Sequence, residues 1–131
     1  MAGDIVEVKI ASKGTAGSRT YKAKAGESYK MILGGSENET RMNGDATGHP
    51  TSKKIPWSLK DVMLETAVLT DGIEFLQDVI NDKALILTVT FADGKTYKGS
   101  GWIIGSVEED TFEGYAPVSF EGPGVLERIA G

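Results

Sequence analysis

The stretch LILTVTF-ADGK-TYKGSGWIIGSV, residues 85–107, decides the fold of this chain. Two runs rich in β-branched and aromatic residues flank a tight-turn signal at Asp93-Gly94. This combination predicts a β-hairpin.

The register of the hairpin depends on its loop. A two-residue loop pairs Val89 with Lys98, whereas a three-residue loop with Gly94 in the left-handed region pairs Val89 with Tyr97. We favour the second register because it keeps apolar and small residues on one face. Glycines in the second strand then leave room for large neighbours or mark a bend. The favoured pairs are Leu85 with Gly101, Leu87 with Gly99, and Val89 with Tyr97.

The rest of the chain is mostly predicted as strands. Residues 5–10, 20–25, 28–33 and 115–120 carry short β-type patterns, and the last ends at Gly122-Pro123-Gly124. Residues 55–69 fit a strand buried on both faces, with Trp57, Leu59 and Met63 on one side, or alternatively a helix. Residues 71–82 form the one clear helical pattern. Asp71 and Glu74 are spaced as a capping box, and an apolar stripe follows.

Residues 34–54 are the least structured part of the sequence. This segment is polar and rich in glycine, with Met42 its one large apolar residue. It is expected to be either a mobile loop or an arm that becomes ordered only against a partner.

Composition narrows the class of protein. The 131 residues fit a single domain, 1–131, and the 17 glycines indicate many turns. There is no cysteine, so disulfides and thiolate metal sites are excluded. The net charge of −5 argues against a surface that grips nucleic acid. No signal peptide or membrane-spanning run is evident, so synthesis in the cytoplasm and no membrane partner are expected.

No pattern of catalytic or cofactor-binding residues emerges. The single histidine, His49, lies in the polar segment and is interpreted as an exposed loop residue. The acidic residues Glu108, Glu109, Asp110 and Glu113 do not have the spacing of a calcium loop and fit a solvated turn. The sequence therefore predicts no enzyme, no cofactor and no metal site.

The order of these features resembles the tail tube subunits of contractile-tailed bacteriophages, the Mu-like class. The resemblance covers residues 21–124. It rests on Gly34-Gly35 before the polar segment, the helix before the long strand, the Asp93-Gly94 hairpin followed by GSGW (99–102), and the closing run VSFEGPG (118–124).

The resemblance implies a mainly β fold, a small barrel or sandwich of two packed antiparallel sheets with one flanking helix. Subunits of that class form hexameric rings that stack into a hollow conduit for genome delivery. The expected partners are further copies of the chain and the tail sheath, baseplate and terminator proteins. DNA would pass through without specific binding, and the protein would reside in the virion tail.

The residues suggest where such a tube would assemble. The hairpin carries apolar residues on both faces, so its second face and its edge are expected to meet neighbouring subunits. The candidate contacts between subunits or rings are Gly34, Gly35, Glu37, Glu39, Arg41, Thr88 and Thr90. The candidates for an acidic lumen or ring face are Glu108, Glu109 and Asp110, since six copies at −5 each carry −30 and would favour sliding of DNA.

Two alternatives remain open at this point. The same fold is equally compatible with the tube protein of a type VI secretion or phage-tail-like bacteriocin apparatus. A small ligand-binding β-barrel, with Phe91, Tyr97 and Trp102 lining a pocket, is the other.

Overall fold

The computed structural model describes residues 4–24, 29–42 and 48–130, and over residues 36–53 it describes the backbone alone. The chain is mainly β with one helix, as the sequence predicts. The elements in chain order are β1 (Ile5–Ser12), β2 (Ser18–Lys22), β3 (Lys30–Ile32), β4 (Gly35–Met42), β5 (Gly48–Ile55), β6 (Trp57–Glu65), α1 (Gly72–Asp82), β7 (Leu85–Phe91), β8 (Thr96–Ile104), β9 (Tyr115–Gly122) and β10 (Glu127–Ala130).

Eight strands form one antiparallel sheet in the order β2-β1-β7-β8-β9-β6-β3, with β10 beside β8. The sheet does not close into a barrel, and the fold is consistent with a β-sandwich. The end of β2 nevertheless approaches β6, because Ala23 forms a bridge with Leu64 and the Lys24 N–H donates to the Met63 carbonyl at 2.9 Å. The sheet therefore curls around a single core.

The hairpin β7–β8 has the favoured register. Leu85 lies opposite Gly101, Leu87 opposite Gly99 and Val89 opposite Tyr97. The turn closes through Gly94 at φ 91°, whose N–H donates to the Phe91 carbonyl. The alternation along β7 buries all four odd-numbered residues of the strand, from Leu85 to Phe91.

Trp57 occupies a gap in the sheet and explains the glycines around it. On the side of β8 away from β7, β10 pairs with residues 96–98 and β9 pairs with residues 102–104. Ser100 lies in the interval between these two pairings. The fully buried Trp57 indole fills this interval and donates its Nε1–H to the Ser100 carbonyl at 3.0 Å. A Cβ at Gly101 or Gly122 would collide with the indole, and a Cβ at Gly99 would collide with Leu126 and lie 3.2 Å from the indole. Room for a large neighbour, rather than a bend, is therefore what these glycines provide.

Strand β6 departs from the simple alternation expected for it. The ladder with β9 shifts between Leu59 and Val62, and Asp61 there has φ 56°. Such a bulge changes which residues face inward. Trp57, Leu59, Val62 and Leu64 are all fully buried, whereas Met63 is only half-buried. The helical alternative is wrong. Burial on both faces is confirmed only at the start of the strand, where Ser58 is buried as well, and beyond it the bulge leaves one core face.

Helix α1 confirms the predicted segment but not its predicted cap. Asp71 is the N-cap residue, yet its side chain makes no capping hydrogen bond. Its carboxylate instead accepts hydrogen bonds from Arg19 Nε at 3.3 Å and Nη2 at 2.8 Å. The Arg19 guanidinium also lies 5.0 Å from the centroid of the Phe75 ring. The capping box is therefore wrong, because a residue of β2 takes the carboxylate.

The polar segment is a β-hairpin in its described part. Strands β4 and β5 pair antiparallel from Gly35 with Ile55 to Met42 with Gly48, and residues 43–47 lie outside the described part of the chain. The expectation of a segment without secondary structure is wrong here. Polar strands of this kind lack the alternation that sequence reading relies on.

No helix in the described ranges has both the length and the apolar character needed to cross a membrane.

Candidate assembly surfaces

Gly34 and Gly35 form the base of the β4–β5 hairpin. Both have positive φ, 87° and 102°. A Cβ on Gly34 would collide with the Gly124 carbonyl and lie 2.8 Å from the backbone nitrogen of Trp57. Gly34 also forms a bridge with Val125. These two candidate contact residues thus have a structural role, since they turn the chain out of the sheet and hold the hairpin against residues 124–126.

The hairpin stands apart from the eight-stranded sheet. Within the described residues, β4 and β5 pair only with each other. The candidate residues Glu37, Glu39 and Arg41 lie on β4, opposite Lys53, Thr51 and His49 in the backbone register. Their side chains, and that of His49, lie outside the described part of the structure. Each strand therefore presents one backbone edge without a strand beside it in the described residues.

Thr88 and Thr90 do not lie at an edge of the sheet. Thr88 is paired with Lys9 of β1 on one side and with Lys98 of β8 on the other. Thr90 is likewise paired with Glu7 and Thr96. The expectation that this hairpin supplies a free edge is wrong, because β1 covers β7. Only the half-buried side chains of the two threonines reach the outer face of the sheet.

The acidic candidates lie in the connection from β8 to β9 and have different environments. Glu108 is exposed. Glu109 accepts a short hydrogen bond from the hydroxyl of Thr66, a buried residue. Asp110 uses Oδ1 to accept the N–H groups of Phe112, at 3.0 Å, and Glu113, at 3.2 Å. Two of the three carboxylates thus organise the connection, and the described residues contain no cluster of three that would hold a metal ion.

The turn that Asp110 organises carries the apolar side chain Phe112, which is 95% exposed. Val68, 70% exposed, lies in the adjacent connection between β6 and α1. The two connections are joined because the N–H groups of Thr66 and Ala67 both donate to the Gly114 carbonyl. One end of the molecule therefore carries two exposed apolar side chains close to the acidic residues of the β8–β9 connection, one of which, Glu113, is paired with Lys24.

A groove of mixed polarity lies at the opposite end of β9. Its volume is about 550 Å³. Its apolar walls are Ile86, Pro123, Val125 and Ile129, and Lys98, Gly99, Ser100, Gly124 and Glu127 complete the lining. Val125 and Ile129 are 48% and 55% exposed. The groove is thus open to solvent on the outer face of β8 and β10.

The three aromatic candidates for a ligand pocket are not brought together. Phe91 and Tyr97 pack against each other with ring centroids 5.7 Å apart, on the core side of the hairpin. Trp102 is 41% exposed and occupies an even-numbered position of β8, on the other face from the buried Ile103. These residues do not enclose a common cavity.

No protein-family model matches this chain, and no curated protein matches it either. The functional assignment therefore rests on the geometry of these surfaces.

Sequence reasoning missed Phe112 and the groove. The acidic turn was interpreted as simply solvated, although a phenylalanine within EEDTFEG (108–114) is an available signal for an exposed apolar anchor. The groove had no local signal, because β10 and its pairing with β8 join residues that are about 30 positions apart.

Proposed function

We propose that the chain is a structural subunit of a hollow tube of the phage tail class, in which copies form rings and the rings stack. The carrying observation is the β4–β5 hairpin that stands apart from the main sheet. An isolated two-stranded hairpin is marginally stable in water. Its unpaired backbone edges are a template for strand addition by another copy.

The composition of the hairpin supports the same proposal. Residues 36–54 contain few apolar side chains, so the hairpin has little to bury against its own subunit. Backbone hydrogen bonds from a neighbouring copy would stabilise it without requiring a hydrophobic face. A closed ring would also remove the exposed edges that otherwise promote uncontrolled aggregation.

The edges of the main sheet provide further attachment points. Within the described residues, β3 and β10 each pair with a single strand. All four residues of β10 are exposed. Pairing at such edges would join the sheets of neighbouring subunits into a continuous wall. The virion tube and the tubes of secretion or bacteriocin machines fit this arrangement equally, and DNA as the transported cargo belongs to the virion version.

Shortening the hairpin tests the role assigned to it. Residues 37–53 would be replaced by Asn-Gly, which closes a two-residue hairpin turn between the paired residues Ser36 and Lys54. We expect a subunit with the parent's circular dichroism spectrum and melting behaviour that no longer forms rings by sedimentation and electron microscopy.

A matched control replaces only residues 43–47 with a loop of equal length made of Gly and Ser, which leaves both strands intact. This control is expected to assemble as the parent does. Normal tubes from the shortened protein would reject the assembly role of the hairpin.

A further inference from the structure

Phe112 is a rigidly presented apolar side chain that packs against almost nothing in the described part of its own subunit. It is almost wholly exposed, at 95%. Besides the two bonds to the Asp110 carboxylate, the turn is closed by the Gly114 N–H to the Asp110 carbonyl at 2.7 Å and by the Asp110 N–H to the Tyr115 carbonyl at 2.8 Å. A side chain on such a preorganised turn loses little conformational entropy when it docks. Aromatic anchors of this kind are typical of the centre of an interface.

The groove offers a matching receptor. Ile86, Val125 and Ile129 give it apolar walls, and its volume of about 550 Å³ accommodates an aromatic ring. Gly124 contributes no side chain to the lining, and a Cβ built there would meet no atom within 4 Å, so the groove is open at this position. Lys98, an exposed residue, supplies a cation at its edge, with Glu127 on the neighbouring strand.

One subunit cannot bring these two features together. Phe112 precedes β9 and Pro123 follows it, so the eight residues of β9 separate them, a length of about 26 Å. A second copy in solution is not constrained by this separation, so its groove can meet the Phe112 turn of the first copy. Charge adds little to this match, because Glu113 is paired with Lys24 at 3.6 Å and Glu127 lies opposite Lys98 in the groove. The fit of Phe112 to the groove therefore rests on its apolar ring rather than on charge.

We propose that Phe112 of one copy inserts into the groove formed by Ile86, Val125 and Ile129 of the next copy, in a head-to-tail contact. This inference rests on the proposed tube function and assigns residues to its stacking step. A heterologous contact between opposite ends generates an open filament when the rotation between successive copies does not close into a ring. Repeated along the axis, the contact gives rings a single stacking direction.

Engineered cysteines test this contact directly, because the chain contains none of its own. The double variant Phe112→Cys/Val125→Cys places one thiol on the turn and one in the groove. Under mild oxidation at assembling concentration, we expect a ladder of covalent multimers on a non-reducing gel. An equimolar mixture of the two single variants is expected to give dimers and no longer products.

The matched control is Phe112→Cys/Val6→Cys. Val6 is exposed to a similar extent as Val125, at 44%, but lies outside the groove. This control is expected to show at least tenfold less of the multimer ladder. An equally strong ladder from the control would show that any exposed thiol crosslinks, and would overturn the proposal.

A second readout uses Phe112→Ala, with Val6→Ala as its control. Loss of an aromatic anchor is expected to raise the concentration needed for stacking roughly tenfold or more, while rings and subunit folding are retained. Normal stacking by Phe112→Ala, or a double-cysteine variant that stays monomeric while the parent forms tubes, would overturn the proposal. A ladder from the double-cysteine variant, together with a parent that forms no tubes, would support the contact and reject the tube function. If the variant gives no ladder and the parent forms no tubes, both proposals are rejected.

Discussion

At the residue scale, a few closely packed side chains determine how the strands are arranged, because no other side chain would fit at their positions. Trp57 takes the place of a missing strand segment beside β8, and its indole N–H replaces a ladder hydrogen bond at Ser100. A buried carbonyl without a partner would cost free energy, so this bond stabilises the gap between β9 and β10. The surrounding glycines are the complement of that indole.

Gly101→Ala is expected to destabilise the subunit strongly. The added methyl would collide with the Glu121 carbonyl and lie 2.8 Å from both the Gly122 Cα and the Trp57 Cζ2. Two of these atoms belong to backbone and cannot rotate away, so the free energy of unfolding should fall by at least about 2 kcal/mol. Urea denaturation followed by tryptophan fluorescence measures this change. Thr96→Ala on the same strand is the control and should cost less than about 1 kcal/mol.

Tyr21 links β2 to the start of α1 and makes the stability of the fold depend on pH in the alkaline range. Its hydroxyl donates to the Gly72 carbonyl at 2.5 Å. Burial raises the pKa of Tyr21 above its ordinary value of 10.0, and the Asp71 carboxylate raises this pKa further. The unfolded chain therefore releases the proton first. The stabilisation is complete below about pH 10 and is lost as the pH rises through the folded-state pKa.

Tyr21→Phe is expected to lower the free energy of unfolding at pH 7 by about 1 kcal/mol, through loss of this hydrogen bond. Above about pH 10 the parent should lose stability more steeply than the variant, because the variant has no proton to release at this site. Denaturation curves at several pH values measure both effects. Parallel pH profiles for the two proteins would contradict the assigned role of Tyr21.

At the element scale, the predictable elements are those whose signals are local. Asp93-Gly94 and the alternation around it fix the register of β7–β8, and the apolar stripe marks α1. The other predictions are wrong because residues that are distant in the chain compete for the same group or strand edge. Arg19 takes the Asp71 carboxylate away from the helix cap, and β1 covers the edge of β7 near Thr88. The bulge at Asp61 also reverses a simple reading of β6, since one extra residue exchanges the faces.

Proline substitutions distinguish internal from edge strands. Thr88→Pro removes a ladder hydrogen bond inside the sheet, because β7 is paired on both sides, and should prevent folding altogether. Ile129→Pro lies on β10, between the paired residues Arg128 and Ala130, and should leave a folded subunit. Circular dichroism and thermal melts report the difference. A well-folded Thr88→Pro subunit would show that β7 is not internal.

At the scale of the whole molecule, the assembly surfaces lie on features that sequence patterns describe poorly. The β4–β5 hairpin is polar, and the groove joins residues that are distant in the chain. The acidic turn was noticed for its carboxylates rather than for Phe112. These features nevertheless fit one another: a hairpin with unpaired edges for lateral contacts, and an anchor and groove at opposite ends of β9 for stacking. Under the proposed function, lateral and axial growth would therefore use separate surfaces of the subunit.

The central claim is that this chain assembles into rings and tubes, and negative-stain electron microscopy of the concentrated, cysteine-free protein tests it most directly. We expect ring-shaped end views and hollow tubes, with fast-sedimenting species in the same sample by analytical ultracentrifugation. The edge pairing and the head-to-tail contact both require these species at high concentration. A protein that remains monomeric at every concentration, with no rings or tubes in the micrographs, would contradict the proposed assembly into rings and tubes.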